Sequence, residues 1–489
     1  MDCLAHQESP DSDEDSSEEL TEVVCLESDL QDGQMMEVEV GHHGVLLTRS
    51  DGKFSALGNQ CTHYGAPLSK GAISGNRVRC PWHGTCFNIH TGDLEEFPGM
   101  DCLPCHKVQI RKIQTDIHLM RIFSMGTAVP GVTHTILLLG GGAASLICAE
   151  TLRQENFGGR ILMVSKDELL PHDKTRLSKV MNVESDSILL RRMEFFHKYD
   201  IEVWLRKEAL SVDTDKKTVT FDDGSVQCYD QLLISTGCRY KHTNTPSKVI
   251  GGTKSRSMLS ERDVKFFMND SVTEIKGMNG KVKEVVLKSG KVIPADVLIV
   301  GVGIIPNSEF LQGSKIQMDS KNFLKVDKYM HTNIPDVFGG GDLATFPLLM
   351  ANDRHVNIGH WQMAQAHGRI AALNMLGKST ALNTVPFYWT VLAGHTIRYA
   401  GYGEGYSEIV MKGKFEDRRF LALYIKNDAV IAAAGLNFDP AVSVVAERFV
   451  SGKVITKKEA QYVKLCLIHF LLYCSVDLMH HTDSWMWKI

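Results

Sequence analysis

Four residues stand in a pattern able to hold metal. Cys61-Thr62-His63 is followed, sixteen residues later, by Cys80-Pro81-Trp82-His83. Two thiols and two imidazoles at Cys-x-His and Cys-x2-His spacing make Cys61, His63, Cys80 and His83 the candidate ligands. Such a set suits a tetrahedral zinc ion, and it suits iron and sulfide equally well. A second motif, Cys102-Leu-Pro-Cys105-His106, matches the haem-attachment form. It falls where a strand should return to close the surrounding fold, and it reads as two free thiols.

The loops around the four ligands are rich in glycine and proline. Cys61-Thr-His-Tyr-Gly-Ala-Pro-Leu68 and Cys80-Pro-Trp-His-Gly-Thr-Cys-Phe-Asn88 closely resemble the two ligand loops of Rieske [2Fe–2S] proteins. The resemblance implies two thiolates on one iron and two imidazoles on the other. Neutral imidazole in place of anionic thiolate makes the reduced state easier to reach. Position 66 is alanine, so Cys86 lacks the loop-to-loop disulfide partner of the respiratory-complex variety. That points to the ferredoxin-like kind, with zinc as the remaining alternative.

A second site is written in glycines. His134-Thr-Ile-Leu-Leu-Leu-Gly140-Gly-Gly142-Ala-Ala-Ser145 reads as a buried strand, a tight turn and a helix start. This is the phosphate-binding turn of a dinucleotide fold, in which helix N–H groups and dipole face a pyrophosphate. Gly140, Gly142, Ala143 and Ala144 form the turn. Ser145 stands where the fingerprint has its third glycine, and it is expected to loosen helix–strand packing. Asp167 follows the next strand, Arg160–Val164, at the distance where an acid binds a ribose hydroxyl. Further on, Tyr229-Asp-Gln-Leu-Leu-Ile-Ser-Thr236-Gly237 and Val337-Phe-Gly-Gly-Gly341-Asp342 have the two strand-and-glycine forms of flavoprotein reductases.

With these motifs the chain resembles the apoptosis-inducing-factor-like flavoproteins that carry an N-terminal Rieske domain. Supporting stretches are Leu170–Lys179, Asn357–Ala364, Gly368–Gly377 and Pro386–Trp389. The resemblance implies FAD, a [2Fe–2S] cluster and NAD(P)H as electron donor, with a link to cell death. It places Thr236, Gly237, Gly341 and Asp342 at the flavin, with Asp342 on the ribitol. Lys179 matches the lysine beside the isoalloxazine, where a cation stabilises negative charge on reduced flavin, and is the candidate catalytic residue. Trp389 matches an aromatic near the flavin. In the lysine loop, His172-Asp173-Lys174-Thr175 keeps a cation but loses the family's proline.

One stretch departs from the resemblance. Reductases of this kind insert a second dinucleotide domain after the Thr-Gly strand. Here Gly237 and Ala295 are only 58 positions apart, and no G-x-G-x-x-G lies between them. The segment reads as the tail end of an NADH domain with its front removed, in a spliced or otherwise shortened form of a working reductase. Two functions follow. One is an oxidoreductase passing electrons between NAD(P)H, FAD and the cluster. The other is an impaired, cofactor-holding interaction protein in cell-death signalling.

The elements that must position these residues divide the chain into an expected series. Residues 1–22 are an acidic disordered arm and 23–122 a Rieske β-sandwich. Residues 133–248 and 294–378 are the two parts of a three-layer ββα FAD domain of the glutathione-reductase type. Residues 249–293 are the truncated NADH-binding remnant, 379–458 a small C-terminal α+β domain, and 459–489 an atypical tail. The fold class is thus multidomain, mixed β and α/β.

Composition agrees with a globular protein: 43% of residues are apolar and 23% charged. The first 32 residues hold twelve acids and no Lys or Arg, leaving 46 acids against 53 bases, a net +7, in the rest. That surplus is too dilute for a nucleic-acid footprint but suits anionic cofactors. Without an 18-residue apolar run or a signal peptide, neither a membrane span nor secretion is expected. Twelve cysteines then read as reduced thiols or ligands. Location is expected to be cytoplasmic or mitochondrial, and the electron acceptor is not specified.

Overall fold

The computed structural model describes residues 22–111, 114–120, 125–177, 182–240, 263–301 and 303–462. The N-terminal part is all strand and turn. A six-stranded antiparallel sheet runs, from edge to edge, Glu22–Cys25, Gln114–Met120, Cys105–Arg111, Lys53–Gly58, His43–Ser50 and Met35–Val40. A second sheet of four short strands, Ala72–Ser74, Arg77–Arg79, Cys86–Asn88 and Leu94–Glu96, carries the metal-ligand loops. Cys105 opens the strand that returns beside Lys53–Gly58, pairing with Leu57, so the Cys102–His106 motif closes the fold as expected.

The middle of the chain is built on a five-stranded parallel sheet. Its order is Ile201–Trp204, Arg160–Val164, Thr135–Leu139, Gln231–Ile234 and Val337–Gly339. Ile136, Leu137, Leu138 and Leu139 are all buried, as a central parallel strand covered on both faces requires. The helices Ala143–Gln154 and Trp361–Met375 pack on this sheet and on each other. Their contact is closest at Gly368, where a Cβ would meet the Ala144 carbonyl at 2.1 Å.

The shortened region forms its own small sheet, Val272–Met278, Lys281–Leu287 and Val292–Pro294, joined to no other strand among the described residues. The apolar run after it, Ala295–Gly301, does not enter the parallel sheet. Val297 is 76% and Ile299 88% exposed. Apolar β-branched residues of this kind normally fill a sheet; here no strand among the described residues covers them. Ile304–Pro306 re-enters by pairing with Cys238–Tyr240, and Val337 resumes the main sheet.

A C-terminal five-stranded antiparallel sheet follows, in the order Phe387–Leu392, His395–Gly401, Ala429–Leu436, Arg419–Lys426 and Glu408–Lys414. The helix Ala441–Val450 lies on it, burying Val442, Val444 and Val445. The same helix contacts the strands Ala72–Ser74 and Arg77–Arg79 of the N-terminal domain, so the first and last domains touch.

Candidate functional site

The two ligand loops repeat one backbone design. The amide of Cys61 donates to the Ala66 carbonyl, and that of Cys80 donates to the Thr85 carbonyl. Gly65 and Gly84 turn each loop at φ +70° and +78°. At Gly84 no side chain fits in any case, because a Cβ would lie 2.6 Å from the Phe387 ring.

This design draws the four donors together as two pairs. The Cys80 thiol hydrogen-bonds to Cys61, which lowers Cys61 below the ordinary thiol value, while burial holds Cys80 well above it. His63 Nδ1 and His83 Nδ1 stand 3.1 Å apart. Burial pushes His63 down to about 4, with Asp173 opposing, and His83 down to about 2. Both imidazoles are therefore neutral at pH 7, the form in which a metal takes them. Among the described residues no three His, Cys, Asp or Glu side chains are grouped around one ion position. A thiol pair and an imidazole pair are the donor set a two-iron cluster takes, one pair on each iron.

The flavin elements surround a turn that needs glycine. Gly140 has φ +123°, and a Cβ there would lie 2.3 Å from the Ser235 carbonyl. Gly142 differs: a Cβ would meet nothing within 4 Å, so this edge of the turn opens onto free space where a pyrophosphate fits. Ala143 and Ala144 begin the helix beside it. Ser145 corrects an expectation. It is fully buried and its Oγ lies 2.7 Å from Ser235 Oγ, so it pins the helix to the neighbouring strand instead of loosening it. A separate close approach, helix to helix, is made by Gly368 against Ala144.

On the far side, Gly341 turns at φ +67° and Asp342 sits behind it. Burial raises the Asp342 carboxyl, and Lys174 draws it back down. Asp167 pairs with the same lysine at 3.9 Å. Gly237 turns at φ +67° over open space. Thr236 points elsewhere: its hydroxyl donates to the Asn307 carbonyl at 2.7 Å, closing the chain where it returns from the shortened region. Lys179 lies outside the described residues.

Trp389, matched by resemblance to an aromatic near the flavin, also stands against the two candidate ligand histidines. Its ring centroid lies 5.9 Å from His63 and 5.0 Å from His83. It is also 4.8 Å from His360, at the N-cap of the helix Trp361–Met375. Gly359, next to His360, lies 3.4 Å from the Asp342 carboxyl carbon by its would-be Cβ. Trp389 thus spans the space between the paired histidines and the Asp342 side of the flavin elements. His360 was quoted within a supporting stretch but given no role; its place at a helix start was the only local signal for it.

Fold and site together define a flavoprotein reductase that carries its own Rieske iron–sulfur domain. The comparisons agree. Residues 21–107 match the Rieske [2Fe-2S] domain family, 134–258 and 252–368 the pyridine nucleotide-disulphide oxidoreductases, and 387–463 the reductase C-terminal family. The chain is 42% identical to apoptosis-inducing factor 3 of Homo sapiens, over 91% of its own length and 86% of that protein's. It is 25% identical to rubredoxin-NAD(+) reductase of Pseudomonas putida, over 62% of this chain and 95% of the relative. The fold is also that of putidaredoxin reductase in its covalent complex with putidaredoxin: TM-score 0.65, 19% identity, 71% of this chain and all of the other. The chain belongs to the apoptosis-inducing factor 3 family and is an FAD-dependent, NAD(P)H-linked oxidoreductase with a Rieske [2Fe–2S] centre.

The comparisons also mark the shortened region. The match to the oxidoreductase family breaks into two pieces that meet at residues 252–258. The human alignment has 523 positions, more than the 489 residues of this chain, so part of the relative has no counterpart here. Among the described residues, no helix is long and apolar enough to cross a membrane.

Proposed function

We propose that Cys61 and Cys80 bind one iron of a [2Fe–2S] cluster and His63 and His83 the other. Gly140, Gly142, Ala143, Ala144, Asp167, Gly237, Gly341 and Asp342 cradle FAD, with Lys174 and Lys179 supplying positive charge. When bound, the flavin would accept two electrons from NAD(P)H and release them singly, and the cluster would take one at a time. Residues of this chain do the rest. Neutral His63 and His83 present imidazole nitrogen to metal, and Trp389 and His360 fill the space between the two centres, excluding water from it. The observation that carries this reading is Trp389, whose ring meets both candidate ligand histidines and the residue beside the Asp342 loop.

The external acceptor is a one-electron carrier, and the site of action is mitochondrial or cytoplasmic. The test is an anaerobic NADH titration of the purified holoprotein, following flavin and cluster absorbance together. Loss of flavin absorbance followed by cluster reduction supports the reading. In Trp389→Leu the first change should remain and the second should slow.

A second reading has its own support in the shortened region. With no G-x-G-x-x-G between Gly237 and Ala295, the chain lacks the usual turn for a nicotinamide dinucleotide pyrophosphate. On this reading it holds both cofactors but serves as a binding protein in cell-death signalling. Dithionite would then reduce both centres where NADH reduces neither.

A further inference from the structure

A second bridge joins the cluster loops to the flavin domain, and it runs through one tyrosine. Tyr64 follows His63 directly. Its ring stands edge-on to His63 at 4.4 Å and to His83 at 5.5 Å. Its hydroxyl donates to Asp173 Oδ2 at 2.5 Å, 109 residues away on the flavin domain. The other oxygen, Asp173 Oδ1, accepts from the Thr175 amide at 2.9 Å and the Thr175 hydroxyl at 2.5 Å. Asp173 thereby caps the turn Lys174–Leu177, and Lys174 of that turn is the cation facing Asp167 and Asp342.

We propose that Tyr64 and Asp173 are a positioning latch for electron transfer inside this chain. One carboxylate fixes the flavin-side turn through Oδ1 and the cluster loop through Oδ2. The pair sets how closely the two histidines approach the flavin elements, in addition to the seat that Trp389 provides. A hydroxyl-to-carboxylate bond is charge-assisted and directional, which suits it to fixing position. The latch is not what keeps the domains together. Arg191 holds Asp101 at 2.6 Å and Glu150 at 3.0 Å across the same boundary, and Arg369 donates to the Leu94 carbonyl at 2.6 Å. Losing the Tyr64 hydroxyl should therefore loosen the approach and leave the fold intact. The proposal rests on the flavin-to-cluster reading above.

The experiment uses the full-length holoprotein. Flavin is reduced by a flash of light with a deazaflavin and EDTA, without NADH, and cluster absorbance is followed in time. Tyr64→Phe and Asp173→Ala should slow cluster reduction about tenfold, the weight of one charge-assisted hydrogen bond. In Tyr64→Phe, flavin content and the electron paramagnetic resonance spectrum of the reduced cluster should not change. Asp173→Asn, which keeps one uncharged side-chain oxygen for Tyr64, should give a rate between those of wild type and Asp173→Ala. Amide exchange at residues 171–177 should rise in Tyr64→Phe. A wild-type rate in Tyr64→Phe, with a slowed Trp389→Leu, overturns the latch and leaves the reading standing. If wild-type protein itself passes no electron to the cluster, the reading fails and the latch falls with it.

Discussion

Arg79 and Glu447, 368 residues apart, form a buried ion pair against the backbone of the Cys80–Gly84 loop. Arg79 Nε donates to Glu447 Oε1 at 2.5 Å. The arginine has no exposed surface and the glutamate side chain 2%. Arg79 also donates to the Gly84 carbonyl at 2.7 Å, and Ser443, one turn before Glu447, donates to the Cys80 carbonyl at 3.1 Å. Arg77 adds a second contact to Glu447 at 3.2 Å. The C-terminal helix therefore grips the ligand loop by its backbone as well as by charge.

Glu447→Ala should cost about 3–5 kcal/mol, because it takes from a buried guanidinium the carboxylate that its Nε donates to and leaves it Glu96 and the Gly84 carbonyl. Urea titration followed by circular dichroism reads the loss. Cluster absorbance should disappear at a lower urea concentration than flavin absorbance. A loss under 1 kcal/mol would mean that the pair is better solvated than its burial indicates.

The same pair predicts a pH dependence. Burial alone would raise the Glu447 carboxyl, but Arg79 and Arg77 carry it below its ordinary value of 4.5. A carboxyl depressed in the folded state adds stability that is fully present above about pH 4.5 and lost as pH falls through the lower folded value. The stability gap between wild type and Glu447→Gln should narrow on acidification below pH 4.5. A gap that widens there would reverse the assignment.

Metal content separates the two candidate centres. Iron and acid-labile sulfide should each reach two per chain, with zinc well below one. Cys61→Ala should abolish the cluster spectrum and keep the flavin. Cys86→Ala should keep both, since the Cys86 thiol is buried against Glu447 at 3.7 Å and is not one of the four donors.

Two glycines of the flavin cradle should fail in different ways. Gly142→Val places its side chain in open space, so stability should change by less than about 0.5 kcal/mol while FAD retention falls more than tenfold. Gly368→Ala drives a methyl into the Ala144 carbonyl and should cost about 1–3 kcal/mol even without FAD. Thermal melts of apoprotein and holoprotein, with flavin absorbance per chain, distinguish the two.

What the sequence made legible was local. Cys61, His63, Cys80 and His83 announce themselves because each loop is one turn whose residues are neighbours in the chain. Gly140 and Gly142 do so because a strand, a turn and a helix share one short segment. Ser145 was misread because the partner that holds its hydroxyl, Ser235, lies ninety residues later. That Trp389 also meets His63 and His83 is announced by nothing nearby in sequence. Tyr64–Asp173 and Arg79–Glu447 have no sequence signal at all, since each joins residues whose proximity exists only after the domains have packed.

The inward seat of the two candidate ligand histidines has a kinetic consequence. A separate electron-carrier protein must find its reductase by diffusion, at a rate that falls with dilution and responds to salt. Here the carrier is part of the chain and sits against Trp389, fastened by an ion pair that solvent ions do not reach. Its encounter with the reductase is intramolecular, at an effective concentration that dilution does not lower. The internal transfer should be first order and indifferent to ionic strength, so concentration and salt act only on how electrons enter the molecule and how they leave it.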